Sequence, residues 1–158
     1  MSQDLGDSKK AGYAAALQAM NKMEGSKPDI IFAFSSIKYN QSEALKGIRE
    51  VAPQAVLVGG SAAGEITSWI TAFDGISALA VSSDTVKFVA GAGRGVSRNS
   101  FQAGADAASD VIKKQNGQKP DLFIMLPDGI TGNGEAIVEG VKSVLGQNAP
   151  IIGGSLGD

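Results

Sequence analysis

The residues best suited to chemistry fall in glycine-rich clusters. The first is Gly59-Gly60-Ser61-Ala62-Ala63-Gly64-Glu65. Glycines let a backbone turn sharply and approach a ligand closely. Consecutive amide N–H groups in such a turn can cradle a carboxylate or a phosphate. The Ser61 hydroxyl adds a donor and an acceptor, and Glu65 adds a carboxylate. The plain alternative is a tight turn leaving a strand. A second copy, Gly153-Gly154-Ser155, favours a site, because functional loops gather at one end of a rigid scaffold.

Pro127-Asp128-Gly129, followed by Gly132-Asn133-Gly134-Glu135, lies between an apolar run and a helix start. A polar head group there would meet free N–H groups, and Asp128 could take an amine or a cation. The same residues are also ordinary turn formers. Gly91-Ala92-Gly93-Arg94-Gly95 invites a nucleotide reading, but Val96 stands where the dinucleotide fingerprint needs its third glycine, and no Gly-Lys-Ser/Thr follows. Arg94 itself can pair bidentately with a carboxylate, although most arginines are simply exposed. The expected ligand-binding set is Ser36, Gly59, Gly60, Ser61, Gly64, Glu65, Arg94, Asp128, Gly129, Asn133, Gly154 and Ser155.

Other chemistry is thinly represented. Glu65, Asp128 and Asp158 fall near strand ends, which keeps metal or acid–base work open as an alternative. The chain has no His and no Cys, so the commonest general base and metal ligand are missing, and thiol catalysis and disulfides are excluded. We expect no catalytic residues, no metal and no cofactor. Around the only tryptophan, Trp69, the segment Ile66 to Phe73 reads either as a flap or as packing on the core.

Four helices and two strand patterns must position these residues. Helices are expected over about Lys9–Met23, Ser42–Val51, Asn99–Ile112 and Glu135–Leu145, from apolar residues at helical spacing. Asp7 or Ser8 can cap the first, and Asn40 with Glu43 resembles a capping box. Short apolar runs at Ile30–Phe34, Ala55–Val58, Leu122–Leu126 and Pro150–Ile152 suit parallel strands buried on both faces. Gly75–Val81 is a further strand, with Thr85–Gly91 as its hairpin partner across Ser82-Ser83-Asp84. On this reading the strand-end clusters gather where open α/β sheets bind ligands.

The chain repeats itself. Ala11-Gly12 recurs as Ala103-Gly104, Pro28-Asp29 as Pro120-Asp121, and Glu43-Ala44 as Glu135-Ala136, each 92 residues on; Gly59-Gly60-Ser61 recurs 94 residues on. Crossover units share periodicity but need not share residues, so this reads as a duplication. The expected fold class is α/β: duplicated αβαβ units forming a mostly parallel or mixed sheet flanked by helices, with a central β-hairpin. One domain over residues 1–158 is expected, with repeats at about 8–65 and 99–158.

Composition narrows the function. Of 158 residues 43% are hydrophobic, which is globular rather than disordered. The net charge is −2 with its basic residues scattered, so no nucleic-acid partner is expected. No apolar stretch reaches membrane length, and no secretory signal is visible; the expected location is cytoplasmic.

The stretches Pro28–Ile31, Glu43–Val51, Gly59–Glu65, Leu126–Glu135 and Gly153–Asp158 resemble the N-terminal region of the FIST family. That resemblance implies an intracellular sensory domain for signal transduction that binds a small ligand such as an amino acid or small carboxylate. Its partners would be that ligand and a downstream signalling protein or C-terminal FIST region. Family members usually begin with a strand before the first helix and continue past the second Gly-Gly-Ser, so a fragment lacking a C-terminal FIST region is expected. Haem sensing is not expected without His or Cys ligands. The alternatives are an enzyme using strand-end carboxylates and a partner-docking domain with an unpaired edge.

Overall fold

The structure, a computed structural model, describes residues 1–2, 6–67 and 71–157. The chain divides into two units, Met1–Phe88 and Val89–Asp158. The first runs α1 (Ser8–Met20), β1 (Ile30–Ser35), α2 (Gln41–Val51), β2 (Val56–Ser61), β3 (Glu65–Ile66), β4 (Thr71–Ala72) and β5 (Ile76–Val81); the second runs α3 (Ser100–Lys114), β6 (Phe123–Met125), α4 (Gly134–Leu145) and β7 (Ile151–Gly153). The class is α/β with mixed parallel and antiparallel pairing.

Each helix starts on a short polar side chain. Asp7, Asn40, Asn99 and Asn133 are the N-caps, accepting from the amides of Lys10, Glu43, Gln102 and Ala136 respectively. Such a cap satisfies an amide that has no partner within the helix.

Within the first unit the sheet order is β2-β1-β5. β1 pairs parallel with β2, Ile30 opposite Val56, and antiparallel with β5, Ile30 opposite Val81. Both helices cover the face that carries Ile31, Ala33, Ala78 and Ala80, and Ala16, Ile48 and Ala52 fill the space between. In the second unit β6 and β7 pair parallel, Phe123 opposite Ile151. Phe123, Met125 and Ile151 face Ala108 and Val111 of α3 and Val141 and Leu145 of α4.

Small residues set these packings. A methyl group on Gly12 would meet the Ala44 carbonyl of α2, and one on Gly104 would meet the Ile137 carbonyl of α4. Gly47 and Gly140 sit equally close to Lys9 and Phe101 of the facing helices. The helix backbones therefore touch, as close small-residue crossings require.

Three expectations change. Thr85–Gly91 forms no strand, and β5 pairs with β1 instead. The reason lies at the head of β1: the Asp29 amide donates to Val81 O at 2.9 Å, and the Asp29 carboxylate accepts from the Ser83 amide at 2.9 Å. The Ser83 hydroxyl then accepts from the amides of Thr85 and Val86, which turns the chain away from a hairpin. The central antiparallel ribbon is β3–β4, Glu65 opposite Ala72.

Burial on both faces also fails, because each unit has its helices on one face; Leu79, Leu122, Ile124 and Ile152 remain exposed. Finally, the repeat register slips by one at the second helix. The caps Asn40 and Asn133 are 93 residues apart, not 92. Ala44 accordingly corresponds to Ile137, not to Ala136.

Candidate functional site

The Gly-Gly-Ser copies are not free turns. Gly59-Gly60-Ser61 is the second half of β2, opposite Ala33, Phe34 and Ser35. Gly153 ends β7 opposite Met125. Gly59 has φ 141° and Gly153 φ 145°, backbone that favours glycine. A Cβ on either would collide with the Ala33 or Met125 carbonyl across the ladder. Alternate amides are also in use: Ala62 donates to Ser35 O at 3.0 Å, Gly154 to Met125 O at 3.2 Å and Leu156 to Pro127 O at 2.8 Å. The expected cradle of consecutive free amides is thus replaced by strand pairing.

In the first unit the chemistry gathers at the end of β1. Ser35, Ser36 and Glu65 are the buried polar residues among those described, Glu65 being only 2% exposed. The Ser35 hydroxyl donates to Gln41 Oε1 at 2.5 Å, and Gln41 Nε2 donates to the Ser36 carbonyl at 3.0 Å. The Ser36 amide donates to Gly75 O at 3.0 Å, and its hydroxyl accepts from the Lys38 amide at 3.3 Å. A Cβ on Gly75 would sit 3.4 Å from Glu65 Oε2, so Gly75 lies against both Ser36 and Glu65. Beside it, Lys38 and Asp74 form an ion pair of 2.8 Å. A carboxylate is expensive to bury unless it is paired or hydrogen-bonded.

Ser61 is half-buried at the end of β2, and Gly64 is exposed just before Glu65. Ser36, Gly60, Ser61 and Glu65 therefore share one end of this unit's sheet. Sequence reasoning missed Gln41 and the Lys38–Asp74 pair. Gln41 directly follows the Asn40 cap, the one signal that it could reach back to the strand. Trp69 and Ile70 lie outside the described residues; Ile66 and Phe73, from the same segment, are exposed.

In the second unit Asp128, Gly129, Gly154 and Ser155 come together past β6 and β7. Asp128 bridges Leu156, and the Gly129 amide donates to Leu156 O at 3.1 Å. Asp128 is occupied by its own loop. Its Oδ2 accepts from the Thr131 hydroxyl at 2.6 Å, and its Oδ1 from the Ile130 and Thr131 amides at 2.8 and 3.2 Å. The Thr131 hydroxyl, then those two amides, hold its carboxyl below the usual range. Here the turn reading describes the geometry. The Asn133 side-chain oxygen is committed to its cap. Asp158 lies outside the described residues.

Arg94 is exposed, on the segment leading to α3. The glycines around it serve packing. A methyl group on Gly93 would meet the Ala103 carbonyl of α3, and the Ala92 amide donates to Asp110 Oδ2 at 3.1 Å. Asp110 also pairs with Lys114 at 2.8 Å, and this pair with the Ala92 amide lowers its carboxyl pKa.

Among the described residues no group of three or more His, Cys, Asp or Glu comes together. No helix there is long and apolar enough to cross a membrane.

The profile of the FIST N domain matches residues 29–158. The chain belongs to the FIST family. FIST domains are sensory, signal-transduction domains. No curated protein matches the chain. The match begins at Asp29, at the head of β1, and takes in both glycine-locked strand ends. In this FIST N domain the repeated Gly-Gly-Ser is thus first a pairing device.

Proposed function

We propose that this FIST N domain is a non-catalytic input module that senses a small molecule of the amino-acid type at the end of β1. One observation carries the proposal: Ser36 and Glu65, two of the buried polar residues among those described, meet at Gly75, and Ser35, the third, precedes Ser36 at the end of β1. Polar groups concentrated at the carboxyl ends of strands are the usual floor of an α/β ligand site. A carboxylate, two serine hydroxyls (Ser36 and Ser61) and the neighbouring Lys38–Asp74 pair suit a ligand with both an ammonium and a carboxylate. Glu65 would take the ammonium, and Lys38 the carboxylate. The proposal places the domain in the cytoplasm, with a downstream signalling protein or a C-terminal FIST region reading the bound state.

The test is thermal denaturation of the whole chain with a panel of amino acids and small carboxylates at millimolar concentration. A ligand that binds only the native state raises the melting temperature, by about 2.7 kcal/mol of stability at a hundred times Kd. At least one amino acid should do so, and Glu65→Gln should remove the rise. A panel without any response would overturn the reading. So would a response that Glu65→Gln leaves unchanged.

A further inference from the structure

Lys38, the residue proposed to take the carboxylate of an amino acid, already holds one. Its Nζ donates to Asp74 Oδ2 at 2.8 Å. This pair differs in kind from others in the chain. Lys46–Glu43, Lys114–Asp110 and Lys142–Glu139 each lie about one turn apart on a single helix. Lys38 and Asp74 are 36 residues apart. Lys38 lies in the turn between β1 and α2, and Asp74 stands between β4 and β5.

The backbone beneath the pair is fixed from both sides. The Lys38 amide donates to Ser36 Oγ at 3.3 Å, and the Tyr39 amide to Ser36 O at 3.2 Å. On the other side Gly75, next to Asp74, accepts from the Ser36 amide at 3.0 Å, and Ile76 exchanges bonds of 2.9 and 2.8 Å with Ser2. The two side chains are open by contrast, 59% exposed at Lys38 and 34% at Asp74. An ion pair so open to water is weak. It can part by side-chain rotation alone, with both segments held in place.

We infer that Asp74 is a built-in competitor for the ligand's carboxylate: it occupies Lys38 until a molecule arrives that brings a carboxylate of its own. The inference rests on the amino-acid reading above and assigns the regulation of that same site. Gly75 follows Asp74 directly and lies against Glu65 Oε2. An amino acid carries its ammonium and its carboxylate on one carbon. With the ammonium on Glu65, the carboxylate reaches the side of Gly75 where the Asp74 carboxylate meets Lys38. One carboxylate then replaces another on the same cation.

Two properties follow. The first is selectivity, because a molecule without a carboxylate has nothing to exchange for Asp74 and leaves the pair closed. The second is a raised threshold. Apparent affinity falls with the fraction of molecules in which Lys38 is available, so removal of the competitor must tighten binding.

The probes are the panel of amino acids and their matching carboxamides, titrated into the whole chain and followed by NMR. Asp74→Asn keeps the size of the side chain and removes its charge. It should tighten binding of the responding amino acids about two- to fivefold, the scale of an exposed pair. Asp74→Ser, as a second variant, should do the same. Lys38→Met should weaken binding about tenfold. In the Lys38→Met chain Asp74→Asn should bring no further gain, whereas a general effect of charge would persist there. The carboxamides should bind more weakly than their parent acids, and Asp74→Asn should not tighten them.

If amino acids bind but neither Asp74 variant tightens them, the competitor is overturned and the sensing reading stands. The same holds if the gain survives in Lys38→Met, or if the carboxamides match their parent acids. If no amino acid binds the natural chain or Asp74→Asn, the sensing reading falls and this inference falls with it.

Discussion

The first and second units share an element order and a set of contact glycines, yet they are finished differently. The first closes its sheet with β5 and buries Ser35, Ser36 and Glu65 at the strand end. The second keeps a two-stranded ladder, and its strand-end carboxylate, Asp128, folds its own loop. The duplication thus preserved what the backbones need to touch. It did not preserve the side chains at the strand ends: Ser35 and Ser36 of the first unit correspond to Pro127 and Asp128 of the second. Shared residues mark architecture here, and differing residues mark specialisation.

The strongest way to break this comparison is to add a methyl group where the strands meet. Gly59→Ala forces a Cβ into the Ala33 carbonyl at a positive φ, beside the central strand of a three-stranded sheet. We expect a loss of about 4 kcal/mol or failure to fold. Gly153→Ala makes the same collision in a two-stranded ladder and should cost about half as much. Urea midpoints, followed by amide exchange in each unit, give both values. Equal costs would mean that β5 adds no rigidity to the first unit.

Next in size are the helix crossings. Gly12→Ala and Gly104→Ala drive a methyl group into the Ala44 and Ile137 carbonyls. Overpacking of this kind costs about 1–3 kcal/mol, and the two variants should agree closely. A large disparity would show that the duplicated crossing is conserved in residue type but not in load.

Below these come the helix caps. Asn40→Ala and Asn133→Ala each free one amide at a helix start, and each should cost about 1 kcal/mol by denaturant titration. Asn133→Asp should keep the cap. If Asn133→Ala instead leaves stability unchanged, its side chain is available for other work, and the second unit's strand end regains interest as a site.

The sequence was most legible where periodicity and local capping decide structure. The four helices follow from apolar spacing and from a short polar residue at each start, and β1, β2, β6 and β7 from short apolar runs. The pairing of β5 was hidden because it depends on Asp29, some fifty residues earlier, claiming both Val81 and Ser83. The Gly-Gly-Ser motif was visible but ambiguous, since a glycine required by a neighbouring carbonyl and a glycine required by a ligand look alike in one dimension. Glu65 was noticed as a carboxylate, whereas its burial is a property of the folded unit. The register slip at α4 shows the same limit: Glu-Ala matches at 92 residues, but the asparagine caps that set the helix match at 93.

The smallest expected effect concerns acid. Asp128 is ionised more readily in the folded chain than its ordinary value of 3.8, because the Thr131 hydroxyl and the Ile130 and Thr131 amides stabilise its charge. A depressed carboxyl pKa contributes stability that is fully present above the unfolded value and is lost as pH falls through the folded one. Exchange at the Ile130 and Thr131 amides should therefore accelerate below about pH 4 beyond the intrinsic trend. In Asp128→Asn the side-chain oxygen still accepts, but no charge titrates, so the excess acceleration should vanish while the midpoint at neutral pH moves little. If Asp128→Asn instead exposes Leu156 and Ser155 to exchange at neutral pH, the loop carboxylate is holding the end of β7 in place. The second unit's strand end would then depend on Asp128 as the first unit's depends on β5.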